Sequence, residues 1–176
     1  MTDRLRRTGV LIVGLSVLLI GCGGPAPVAP APPTIPSARD ARGADPCALL
    51  SATQLTSAGL GAAGTAATAE TGPRCSWHGR AGDLDVTLYT GGDGLATLAA
   101  NSEPTTTRVR LAGYPALETF TGRGEFCQYD VGVADRQVVS AALAAPEPGS
   151  CDVLQHVVPE LLGNLPTAAP TPAPTR

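Results

Sequence analysis

The sequence predicts an α+β domain: a curved, mainly antiparallel sheet with helices at both ends of the domain, stapled by two disulfides. Three observations carry that expectation. Asp83-Leu84-Asp85-Val86-Thr87-Leu88-Tyr89 alternates strictly, the period of a strand with one buried face. Further strand-like segments follow one another across short turns, the spacing of antiparallel hairpins. Helix signals bracket these segments, Asp45-Pro46 in front and an apolar stripe from Val153 to Leu165 behind.

Each element has its own local signal. Asp45 is placed to cap free amides, and Pro46 falls at the first helical position, where its missing N–H costs nothing. Ser51-Ala52-Thr53-Gln54 reads as a capping box opening a second short helix, which Gly59 stops. Arg74–His78 pairs with the 83–89 strand through a turn around Gly79 and Gly82. Asp93 caps a short helix from Gly94 to Ala100. Thr106–Leu111 and Pro115–Phe120 are strands around a turn at Gly113. Glu125–Ala134 and Gln137–Leu143 form a hairpin turning at Asp135-Arg136. Ser150 caps the last helix. Val153, Val157, Leu161 and Leu165, with Leu154, Val158 and Leu162 beside them, make one wide apolar stripe, and Pro159 inside it is expected to bend or break the helix.

The first residues describe export. Arg4, Arg6 and Arg7 precede an almost unbroken apolar run, Gly9–Ile20, which is too short for a bilayer span of roughly 20 residues but suits a secretory signal. Leu19-Ile20-Gly21-Cys22 fits a lipobox. The Cys22 thiol takes diacylglycerol, cleavage follows small Gly21, and the freed amine accepts a further acyl chain. Two or more chains anchor stably. Arg6-Arg7 also raises twin-arginine export, which Thr8-Gly9-Val10 fits poorly. The chain therefore divides into a signal peptide (1–21), lipidated Cys22 with a Pro/Ala-rich linker (22–44), the α+β domain (45–165) and a disordered Pro/Thr/Ala tail (166–176).

Composition narrows the partners. Between Asp45 and Leu165, six arginines stand against seven aspartates and six glutamates, a net charge of −7 with no basic stripe. Such a domain repels phosphate backbones, which excludes nucleic acid and leaves only the lipid on Cys22 to hold the membrane. Beyond Cys22 there are four cysteines, Cys47, Cys75, Cys127 and Cys151, an even number that reads as two disulfides outside the cytoplasm. Three connectivities are open. Cys47–Cys75 with Cys127–Cys151 is favoured because each bridge then ties a helix start to a nearby strand.

The order Asp-Pro-Cys-Ala-Leu-Leu at 45–50, Cys-Ser-Trp at 75–77, Cys127 in a strand and Cys-Asp-Val-Leu at 151–154, behind a lipobox, resembles the actinobacterial lipoprotein family called domain of unknown function 3558. The resemblance covers nearly all of the folded part. It implies an envelope lipoprotein with no assigned activity, and so brings no catalytic residues.

Isolated chemistry remains to be weighed. Gly59-Leu60-Gly61-Ala62-Ala63-Gly64 matches a dinucleotide fingerprint literally, but it follows a helix and runs into an Ala/Gly/Thr stretch, so it reads as a helix stop plus loop. Asp83 and Asp85 point to one side of a strand, as oxygen ligands for a divalent ion or as a solvated face. Ser76, His78 and His156 offer parts of a hydrolase without a nucleophile elbow. Trp77 is expected in the core near a disulfide. No cofactor or metal is called for, and catalysis is not expected.

The preferred reading is a non-catalytic binding or accessory module, lipid-anchored on the extracytoplasmic face of the cell membrane, that touches another envelope protein or a cell-wall component. The alternative is a carrier of an apolar or lipid ligand held between the sheet and the last helix. A hydrolase is the third reading. The sequence leaves open whether Tyr89, Tyr114, Tyr129 and Phe126 line a pocket, a patch or a core.

Overall fold

A computed structural model describes residues 34–92 and 94–169. The signal segment 1–21, the lipidation site Cys22, the linker up to residue 33, Asp93 with its expected cap, and the end of the tail lie outside the described residues.

Seven strands make one open antiparallel sheet: β1 (Thr65–Ala69), β2 (Gly72–Gly79), β3 (Gly82–Tyr89), β4 (Thr106–Leu111), β5 (Tyr114–Thr121), β6 (Phe126–Ala134) and β7 (Gln137–Ala144). Their order is β1-β2-β3-β7-β6-β5-β4. Two meanders, β1 to β3 and β4 to β7, therefore join through the central β3–β7 pair. The helices are a short 3-10 turn at Pro46–Ala48, α1 (Ala52–Ser57), α2 (Leu95–Ala100) and α3 (Ser150–Asn164).

Alternation gives the sheet two different faces. Cys75, Trp77, Leu84, Val86, Leu88, Cys127, Tyr129, Val131, Val139, Ala141 and Leu143 point to one of them, and all are buried. The 3-10 turn and α3 pack on this side, with Leu154, Val158, Leu161 and Leu162 at most 2 % exposed. This cluster fills the space between α3 and the sheet.

Both disulfides form as favoured, Cys47–Cys75 and Cys127–Cys151. Each ties a helical element of the packed layer to a strand beneath it. The caps follow suit: the Asp45 carboxylate accepts from the Cys47 amide at 2.9 Å, and Ser51 and Gln54 make the reciprocal capping box. Gly59, at φ +77°, ends α1 in the left-handed conformation that glycine adopts without strain.

Four features depart from expectation. The Ala/Thr stretch after Gly64 is not loop: residues 65–69 form edge strand β1, paired to β2 from Thr65↔Ser76 to Ala69↔Gly72. Ser150 does not cap α3. It is the first helical residue, and its hydroxyl donates to the Gly124 carbonyl at 2.8 Å, while Gly149 holds the cap position. Pro159 lies inside an uninterrupted helix, because the apolar stripe on either side of it is anchored in the core and offsets the one backbone hydrogen bond that proline forfeits.

The folded body also extends past the 45–165 limits expected for it. The Arg39 amide donates to the Val133 carbonyl at 2.9 Å, and the Asp40 amide donates to the Pro166 carbonyl at 2.8 Å. The Ala168 amide donates back to Ala38 at 3.0 Å. Ala41 is fully buried, with its amide donating to Gln137 Oε1 at 2.7 Å, and the Tyr114 hydroxyl donates to the Ser37 carbonyl at 2.6 Å. The entering and leaving segments thus meet at one end of the sheet, beside the β6–β7 turn.

Candidate functional site

The second face of the sheet carries the chemistry. Register places Arg74, Ser76 and His78 of β2 beside Thr87, Asp85 and Asp83 of β3. Ser140, Ala142 and Ala144 of β7 come next, then Asp130, Gln128 and Phe126 of β6. No helix of the packed layer reaches this side. The connection from β3 to β4 crosses it only over β5 and β6, where the side chain of Leu95 in α2 sits on Gly132: a Cβ built there would lie 3.2 Å from Leu95 Cδ2. Among the described residues, no helix packs on this side of β1, β2, β3 and the adjoining half of β7.

Three hydrogen-bonded groups cross this face. His78 Nδ1 and Asp83 Oδ1 are 2.7 Å apart, at exposed positions. The Ser76 hydroxyl donates to Asp85 Oδ1, and Arg74 Nε lies 3.8 Å from the same oxygen. Gln128 Nε2 donates to Asp130 at 2.9 and 3.0 Å, and Ser140, directly opposite on β7, also hydrogen-bonds that carboxylate. The first two groups are solvated cross-strand pairs of small energetic weight. The third is different, because Asp130 is only 8 % exposed.

Burial pushes the Asp130 carboxyl above the usual range, against the hydrogen bonds from Ser140 and Gln128 that lower it. Both of those partners are neutral. A buried carboxylate held by neutral donors costs stability, since its desolvation is not repaid by an opposite charge. Its neighbours Thr87 and Ser140 are buried as well. A polar, low-dielectric spot thus lies on β6, where the β3–β4 connection crosses this face and at the border of the strands it leaves open, and buried ionisable groups of this kind are found more often at functional sites than in scaffolds.

Each residue weighed from sequence has a place in this frame. Asp83 and Asp85 do share a side of β3, but each is engaged by a β2 side chain, His78 and Ser76 respectively. Ser76 gives its hydrogen to a carboxylate and not to an imidazole, which is not the arrangement of an activated nucleophile. Trp77 is 1 % exposed in the core, against Gly64 and next to bridged Cys75. Gly59, Gly61 and Gly64 form the loop between α1 and β1, with the Gly61 amide donating to His78 O at 2.9 Å. Tyr114 and Tyr129 belong to the core, while Tyr89 and Phe126 are half-buried on the polar face.

Other clusters are structural. Glu118, Cys127 and Cys151 bring ligand atoms within 4.8 Å of one another, but both sulfurs are consumed in a disulfide and supply no thiolate. Glu118 instead accepts from the Tyr129 hydroxyl at 2.6 Å. Burial, followed by this carboxylate, pushes that phenol up to about 12. Among the described residues, two of the clefts that open to solvent are lined in part by ionisable side chains. One of about 530 Å³ lies where the entering and leaving segments meet the β6–β7 turn, lined by Arg42, Asp135 and Gln137. The other, of about 350 Å³, is a groove between α1 and α3 along Ala58, Val153, His156 and Val157. Sequence reasoning missed Asp130, because an acidic residue in an alternating strand reads as solvent-facing.

A family model described as protein of unknown function (DUF3558) matches residues 17–164. No curated protein matches the sequence. Among solved structures, a crystal structure from Bacteroides thetaiotaomicron VPI-5482 at 1.50 Å resolution is similar to 56 % of this chain, at 11 % identity and a TM-score of 0.40. The chain covers 41 % of that protein, less than half its length.

Proposed function

This chain belongs to the DUF3558 family of proteins of unknown function, and on that premise we propose that it is a non-catalytic binding module of the cell envelope, exported and held to the outer face of the membrane by lipid on Cys22. Its partner is another envelope protein or a cell-wall component, met through the uncovered sheet face. The observation that carries the reading is Asp130, buried among neutral donors on β6 at the border of those uncovered strands. Stability alone would favour an apolar residue there.

Anchorage rests on the order of basic residues, apolar run and Leu19-Ile20-Gly21-Cys22. Residues 38–40 and 166–168 meet at one end of the sheet, where the described part of the chain enters and leaves the folded body.

Photocrosslinking from two positions in the intact, exported chain tests the binding role. A photoreactive side chain at Ala142, half-buried on β7 between Asp85 and Gln128, is expected to capture a component of defined mass. The same group at Glu160, on the exposed side of α3, is not. Capture from Glu160 alone would move the binding surface to the helix layer. Recovery of a bare chain from both positions, with an apolar molecule of defined mass bound without crosslinking, would replace the reading by that of a carrier.

A further inference from the structure

We infer that β1 is a self-pairing edge, through which two copies of this chain join into one continuous sheet. Among the described residues, β1 pairs with β2 on one side and with nothing on the other. Its residues Thr65–Thr68 are exposed and Ala69 is half-buried. An unpaired strand edge presents a row of backbone donors and acceptors, and folded proteins usually guard it with charge, proline or a bulge. The opposite edge is guarded in this way, since β4 carries Arg108 and Arg110 on either side of Val109. β1 carries none of these devices: Thr-Ala-Ala-Thr-Ala has no charge, no proline and no bulky side chain.

The occupant that fits is a second β1. Antiparallel pairing about a two-fold axis at Ala67 sets Ala67 against its own copy, Ala66 against Thr68 and Thr65 against Ala69. Every contact is then between small residues, and no charge within the strand opposes its copy. The first charge beyond it, Glu70, falls opposite Gly64. Residues 65, 67 and 69 share the side of Arg74 and Ser76, so the axis runs perpendicular to the sheet. Both α3 layers fall on one side and both polar faces on the other, joined edge to edge. A five-residue pairing buries less than the roughly 1,600 Å² of a standard interface, so the dimer is weak and concentration-dependent.

Charge placed at the axis tests this pairing. Ala67→Lys sets two ammonium groups directly opposite each other, and Ala67→Glu does the same with carboxylates. In native mass spectrometry across a concentration series of the chain as an exporting host makes it, wild type is expected to dimerise. Each variant alone is expected to associate at least tenfold more weakly, and the two mixed are expected to form the heterodimer. Thr107→Lys, on the guarded edge, leaves dimerisation unchanged. Thermal melting of the dilute monomers separates folding from association: Ala67 stands opposite Arg74 of β2, so the lysine variant melts slightly lower and the glutamate variant slightly higher, whereas both weaken the homodimer. A wild type that is monomeric throughout overturns the proposal, as does a dimer insensitive to Ala67→Lys, or a mixture that fails to recover.

Discussion

Removing each disulfide by paired substitution puts the stapling of this domain to a quantitative test. Cys47–Cys75 spans a separation of 28 residues and Cys127–Cys151 one of 24. Loop-closure entropy grows only with the logarithm of loop length. The two bridges therefore withhold nearly equal freedom from the unfolded chain, about 3.6 and 3.4 kcal/mol. Cys75 and Cys127 are both fully buried, so replacement by alanine adds a similar small packing loss on each side. At about 4 °C per kcal/mol for a body of this size, each paired variant is expected to melt about 14 °C below wild type. Circular dichroism follows the sheet. Fluorescence of Trp77, 1 % exposed and adjacent to Cys75, reports the same transition locally. If one pair of substitutions leaves the melting temperature unmoved while the other abolishes folding, the loop-entropy reasoning is wrong, and the surviving bridge acts through packing alone.

Further outcomes follow from particular residues. Asp130→Asn is expected to raise stability at neutral pH. Because the folded carboxyl pKa is raised, the folded chain holds more protons than the unfolded one from roughly pH 3.9 up to the higher folded value. Wild-type stability falls as pH climbs through that window and is level above it. The asparagine variant lacks this loss, so the two chains converge only below the window in a pH series of melts, and a constant difference at every pH would refute the assignment. Arg39→Ala removes a donor to the Leu165 carbonyl at 2.9 Å. It is expected to speed hydrogen exchange at the Asp40 and Ala168 amides by about tenfold while leaving β3 and β7 unchanged. Gly64→Ala drives a methyl to 2.5 Å from Cys75 Sγ and 2.7 Å from Trp77 Nε1 and is expected to cost about 1–3 kcal/mol in denaturant unfolding, whereas Gly163→Ala meets nothing within 4 Å and costs nothing.

Most of the scaffold could be read from residue order because its signals are local. Alternation marked β3 through Leu84, Val86 and Leu88, the Ser51/Gln54 box marked α1, and the stripe from Leu154 to Leu165 marked α3. β1 escaped because Thr65–Ala69 holds no large residue whose alternation could show, and only its partner β2 makes it a strand. The strand order was likewise illegible, since the return of β7 to pair with β3 is a long-range event to which local patterns are blind. The site was harder still. Asp83, Asp85, Ser76 and His78 were visible as polar residues of one face, but their pairing across β2 and β3 depends on register. Asp130 stood out only when burial was known, because the same Gln-Tyr-Asp triplet on an exposed strand would carry no meaning.

Anchorage at the envelope is decided most directly by the intact mass of the chain recovered from the membranes of a host that exports it. Cleavage before Cys22 gives a chain starting at that residue, heavier by a diacylglyceryl group and any further acyl chain, and about 4 Da lighter than its fully reduced form for two closed bridges. A chain that keeps Met1, or one that begins elsewhere with no lipid at position 22, would contradict the lipoprotein reading and return Leu19-Ile20-Gly21-Cys22 to the status of an incidental sequence.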